Sequence, residues 1–160
     1  MAERVHGGDT TLLVAGRVGP RSYREYVEAV VKSLGLESNV GFLGYIEQDK
    51  LPLLYNAADL TVVPSYSEGG PLITPESLAC GTPVVATNVG GNPEYLSLAG
   101  LREYIVNVNN YDFSYDLAST MYLALHDANK GQFSVENIPS WDSTVKSYLR
   151  AFNYVHSVGS

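Results

Sequence analysis

The chain has 160 residues, a length that fits one domain with a real hydrophobic core. A net charge of −7 with no basic run argues against a nucleic-acid partner, and an ordinary apolar fraction argues against disorder. The lone cysteine, Cys80, excludes an internal disulfide, and no segment has the apolar length of a membrane span.

Met1–Asp9 reads as a flexible start without the apolar core of a signal peptide. Thr10–Gly16 (TTLLVAG) is a short apolar run ending in glycine, which predicts a buried strand. Tyr23, Tyr26, Val27, Val30, Val31 and Leu34 then recur at helical spacing, and Gly35 is the expected stop. Asn39–Gly44 predicts a second strand. Ile46–Ala58 predicts a helix with Pro52 in its first turn. Asp59–Ser65 is a third strand ended by Pro64, followed by a helix within Leu72–Gly81. Pro83–Thr87 is the fourth strand, then a glycine loop with a small helix (NVGGNPEYL), then a fifth strand over Glu103–Val108. Two amphipathic helices, Phe113–Asn129 and Ser140–His156, close the chain around a loop at Lys130–Gln132.

Strands alternate with helices, and the strands are continuous apolar runs. That pattern predicts an open, doubly wound, Rossmann-like parallel α/β sheet forming a single domain over 1–160. Ligands of such sheets bind beyond the C-terminal strand ends. Those ends are Gly16-Arg17, Gly44-Tyr45-Ile46, Ser65–Gly70 and Thr87–Gly91, which places Gly16, Thr87 and Asn88 on the ligand edge.

The stretch EGGPLITPE (Glu68–Glu76) lies on that edge. Its glycines allow a sharp turn and close backbone approach, and a helix start offers amides to an anion. The helix can start with Pro71 at its first position, or with Thr74, Pro75 and Glu76 as cap, first and second residues. The available donors are the amides of Gly69, Gly70, Leu72 and Ile73. A carboxylate repels phosphate but accepts from sugar hydroxyls beside it. Glu68 and Glu76 around an amide nest therefore suit a ligand ordered hydroxyl, phosphate, hydroxyl, as in a nucleotide-sugar. The plainer readings are a helix-stabilising acid at Glu76 and a solvated loop acid at Glu68.

Elsewhere, His6, His126 and His156 lack metal-ligand spacing, so no metal and no cofactor is expected. Cys80 reads as a small buried hydrophobe, and Asn92 and Glu94 as helix caps after Gly90-Gly91. The tyrosines read as core-facing, and Trp141 as packing the terminal helix.

Pro64–Leu96 (PSYSEGGPLITPESLACGTPVVATNVGGNPEYL), with LLVAG, NVGFLGYI and LPLLYNAADL before it and PSWDSTVKSYLRAF after it, resembles the retaining glycosyltransferases of the GT-B fold, family 4 (glycosyl transferases group 1). The resemblance covers nearly the whole chain and implies the C-terminal, donor-binding half of that fold. It implies that Glu76 binds the ribose, Glu68 the donor sugar and the intervening amides the diphosphate, while main-chain groups of Tyr45 and Ile46 hold the base. It also implies metal-independent chemistry on a nucleotide-diphosphate sugar, with an N-terminal acceptor-binding domain as partner and a cytoplasmic location, peripheral to the membrane in the intact enzyme. The family's first strand and helix, with an Arg and a Lys on the diphosphate, have no counterpart here; Thr10–Gly16 matches its second strand, so Arg17 does not inherit that role. Gly70 stands where an aromatic is common, and Pro71 where an amide is often supplied. An open edge at Thr10–Gly16 is expected to self-associate or to be covered by Met1–Asp9. The alternatives are a non-catalytic nucleotide-sugar-binding module or partner subunit, and a sugar-nucleotide epimerase.

Overall fold

A computed structural model describes residues 10–17, 19–127 and 133–158; the expected N-terminal start and the loop at 130–132 lie outside them. The chain divides into two compact units, Met1–Leu51 and Pro52–Ser160.

In the first unit β1 (Leu12–Ala15) and β2 (Val40–Gly44) form a parallel pair, joined through helix α1 (Arg21–Ser33). Leu12 lies opposite Val40 and Val14 opposite Phe42; a bulge then sets Ala15 opposite Gly44. Gly35 ends α1 as its position foretells. It adopts φ +68°, and the Leu36 amide reaches back to the Val31 carbonyl at 3.1 Å. β1 is not the buried strand its composition suggests: all four residues are exposed, Leu13 by 50%. Among the described residues it has a strand partner on one side only, and one helix cannot cover both faces of a two-stranded pair.

The second unit carries all but the first residue of α2 (Leu51–Ala57, preceded by a 3-10 turn at Gln48–Lys50), then β3 (Thr61–Val63), α3 (Ile73–Ala79), β4 (Val84–Thr87) and α4 (Asn92–Ala99). A second 3-10 turn leads into β5 (Ile105–Val106), followed by α5 (Phe113–His126) and α6 (Trp141–Val158). β3, β4 and β5 lie side by side in that order, all parallel. β4 is therefore flanked on both edges, and α3, α4 and α5 all pack against it. Every residue of Val84–Thr87 is buried in consequence. Around it gather Val63, Leu78, Leu96, Ala99, Leu101, Tyr104, Val106 and Ala124. Full burial of a Val or Leu side chain contributes roughly 1.5–3 kcal/mol, so this cluster stabilises the unit that carries the strand-exit loops described below.

Four expectations give way here. α3 starts at Ile73, with Leu72 already in helical dihedrals, so neither Pro71 nor Thr74 opens it as read. Pro75 falls third in the helix, where an amide has no intrahelical acceptor to lose. α5 ends at His126, because Asp127 turns to extended dihedrals. The tyrosines are not core-facing: nine of the twelve are exposed and only Tyr55 and Tyr104 are buried. Trp141 is likewise 79% exposed, and α6 displays Val145, Tyr148, Phe152 and Val155 beside it.

Candidate functional site

Strand β3 delivers the chain to the candidate site. Its ladder stops at Val63, and Pro64 has no amide to extend it. The Ser65 hydroxyl then donates to Glu68 Oε1 at 2.6 Å. Ser65 is itself held from the neighbouring strand: Thr87 Oγ1, at the end of β4, donates to the Ser65 carbonyl at 2.6 Å. Glu68 is half-buried, and among the described residues its second carboxylate oxygen has no protein donor.

Glu76 occupies the fourth position of α3. The Tyr55 hydroxyl, on α2, donates to Glu76 Oε2 at 3.0 Å. Tyr55 is buried, and its carbonyl accepts from Thr82 Oγ1 at 2.6 Å. Burial first, and the adjoining Glu76 carboxylate second, push the Tyr55 phenol far above its ordinary range, so it stays an O–H donor. As at Glu68, one oxygen is engaged and the other has no protein donor among the described residues.

Between the two acids lie exposed Gly69, Gly70, Leu72 and Ile73. Among the described residues none accepts a hydrogen bond from these four amides; the first backbone bond of the helix runs from the Glu76 amide to the Leu72 carbonyl at 3.0 Å. The segment thus presents unpaired donors flanked by two carboxylates, each with an open oxygen.

The loop after β4 braces this turn. Gly90 has φ +55°, and a Cβ there would stand 2.7 Å from the Glu68 carbonyl oxygen and 2.8 Å from Glu68 Cβ. Only a residue without a side chain allows that contact. A Cβ on Gly91 would meet the Tyr95 ring at 3.3 Å and Pro71 Cδ at 3.6 Å. Asn92 is not the cap its position suggests. Fully buried, it accepts from Thr74 Oγ1 at 2.6 Å and donates to the Thr87 carbonyl at 3.4 Å, joining α3, α4 and the end of β4. Burying two such polar side chains is tolerable because they satisfy each other.

Of the remaining sequence-derived residues, Thr87 is buried with its hydroxyl spent on Ser65, while Asn88 is exposed and its amide donates to the Val106 carbonyl at 2.8 Å. Gly16, Tyr45 and Ile46 belong to the first unit. There the Gly16 amide donates to the Gly44 carbonyl at 2.8 Å, and the Arg17 guanidinium lies 5.4 Å from the centre of the exposed Tyr45 ring. Sequence reasoning placed Ser65 and Gly90 in strand-exit segments without giving either a role, and it missed Tyr55, which carries no signal of its own in the sequence.

A parallel α/β sheet takes its ligand at the carboxyl ends of its strands, and this turn lies at one of those exits. Residues 2–132 match the family model of the glycosyl transferases group 1. The chain belongs to that family, and its fold is that of the GT-B glycosyltransferases. It is 31% identical over 137 residues to an uncharacterized glycosyltransferase of Methanocaldococcus jannaschii, covering 84% of this chain and 35% of that protein. Among solved structures, sucrose-phosphate synthase of Thermosynechococcus elongatus superposes with a TM-score of 0.73 at 26% identity, over 92% of this chain and 39% of that one. Anabaena HepE, solved in complex with UDP-glucose, gives 0.65 at 26% identity, over 86% and 36%. The chain thus spans little more than a third of the length of these proteins. Among the described residues no helix is long and apolar enough to cross a membrane.

Proposed function

We propose that the chain is the donor-binding, C-terminal half of a retaining family 4 glycosyltransferase. In this reading Glu76 takes the ribose hydroxyls of a nucleotide-diphosphate sugar, and Glu68 takes hydroxyls of the sugar to be transferred. The amides of Gly69, Gly70, Leu72 and Ile73 hold the diphosphate, and main-chain groups of Tyr45 and Ile46 hold the base. Aligned amides stabilise the charge that grows on the leaving diphosphate without a metal ion. Transfer also needs an acceptor site, assigned here to an N-terminal domain, so the 160-residue chain by itself binds donor without transferring sugar.

The observation that supports the reading best is the paired arrangement. Each glutamate has one oxygen tied by a neighbouring hydroxyl, and among the described residues the amides of Gly69, Gly70, Leu72 and Ile73 have no protein acceptor. A cap-forming or solvated acid has no need of that fixing. The HepE complex with UDP-glucose supports the choice of ligand class.

Calorimetry with UDP tests the roles. Glu76→Ala should weaken binding about ten- to hundredfold, the loss of a charged hydrogen bond. Glu68→Ala should leave UDP binding nearly unchanged and lower affinity only for the nucleotide-sugar. Equal losses with UDP in two folded variants would refute the assignment.

A further inference from the structure

We propose that Tyr55 is the positioning residue of the nucleotide site, setting the Glu76 carboxylate in the rotamer that receives the ribose hydroxyls. The inference rests on the ribose role of Glu76 given above and adds what enforces it.

Tyr55 and Glu76 lie on different helices, 21 residues apart in sequence, and meet through one hydrogen bond of 3.0 Å. A glutamate has three rotatable side-chain bonds, and a half-buried one on a helix start can still sample several rotamers. The phenol removes that freedom by engaging Oε2, which leaves Oε1 as the acceptor for a ligand. The tyrosine cannot drift to accommodate its partner. The residue is buried, only 7% exposed, and its own carbonyl is pinned by the Thr82 hydroxyl at 2.6 Å. Thr82 in turn lies three residues past the end of α3, and its carbonyl accepts from the Ser77 hydroxyl at 3.1 Å. The phenol, the carboxylate and the segment carrying Thr82 therefore form a closed loop of contacts around one end of the site. No other role absorbs the hydroxyl, because Glu76 is its one partner among the described residues. A tyrosine needed for packing alone would serve as well as phenylalanine.

The test uses the 160-residue chain, Tyr55→Phe and Glu76→Ala, alone and combined, with UDP and with its 2′,3′-dideoxy analogue as probes. A melting curve checks folding of each variant. Tyr55→Phe should weaken UDP about fivefold, the worth of one hydrogen bond, leave the dideoxy analogue unchanged, and add nothing to Glu76→Ala. A structural role alone would weaken both nucleotides alike, and that result would overturn the proposal. So would an unchanged affinity for UDP, or a Tyr55→Phe variant that fails to fold. If Glu76→Ala itself leaves the preference for UDP over the dideoxy analogue intact, the ribose role falls first and the positioning role with it. Absence of UDP binding to the parent chain overturns both.

Discussion

β1 and β4 are near twins in composition, Leu-Leu-Val-Ala against Val-Val-Ala-Thr, yet they have opposite surroundings. β4 is flanked by two parallel strands and is inaccessible from Val84 through Thr87; among the described residues β1 has one strand partner, and Leu12 and Leu13 remain about half exposed. The first unit has no buried residue among those described, whereas the second holds the whole core cluster. An apolar run therefore specifies a strand, while the number of its neighbours specifies burial. The distinction bears on function, because both proposed glutamates and the amides between them belong to the unit with the core.

The largest difference should appear on truncating one leucine in each unit. Leu78→Ala opens a cavity in a fully buried position and should cost about 2–5 kcal/mol. Leu13→Ala removes a half-exposed side chain and should cost less than about 1 kcal/mol. Urea unfolding followed by circular dichroism reads both, and similar losses would mean that β1 is buried in solution.

A smaller contrast compares two left-handed glycines. Gly90 and Gly35 have φ of +55° and +68°, but a Cβ at Gly90 would strike Glu68, while at Gly35 it would meet nothing within 4 Å. Gly35→Ala should cost about 1 kcal/mol through backbone strain and leave nucleotide binding intact. Gly90→Ala carries the same strain, adds the displacement of Glu68, and should weaken UDP-glucose binding more than UDP binding. Equal effects on the two ligands would detach the Gly90 loop from the sugar end of the site.

Much of this was legible in the sequence, for physical reasons that also mark the limits. Strands announced themselves as apolar runs stopped by Gly or Pro, as at Val63-Pro64, and the Gly35 stop followed from the one residue that adopts left-handed dihedrals freely. Glu68 and Glu76 were visible because the acids, glycines and prolines sit within nine residues of each other. Contacts distant in sequence were not. The Tyr55 hydroxyl meets Glu76 only once α2 and α3 are packed, and Gly90 reveals its purpose only when its loop lies on Glu68. Asn92 looked like a cap because its position fits one, but α4 leaves it buried against Thr74 instead. The start of α3 was misplaced because two prolines offered two plausible first turns and the chain uses neither. The exposed tyrosines misled for a related reason: helical spacing shows which residues share a face, and says nothing of what covers that face.

The central claim is that the Glu68–Glu76 turn holds a nucleotide diphosphate between two carboxylates. Nitrogen-15 amide spectra recorded while UDP is added test it most directly, since the expected donors are backbone amides, which these spectra read one by one. The account predicts the largest shifts at Gly69, Gly70, Leu72 and Ile73, further shifts at Tyr45 and Ile46, and in Glu76→Ala the same shifts only at about ten- to hundredfold higher UDP. Saturable shifts that leave 69–73 unmoved, or that saturate at the same UDP concentration in Glu76→Ala as in the parent chain, would contradict it.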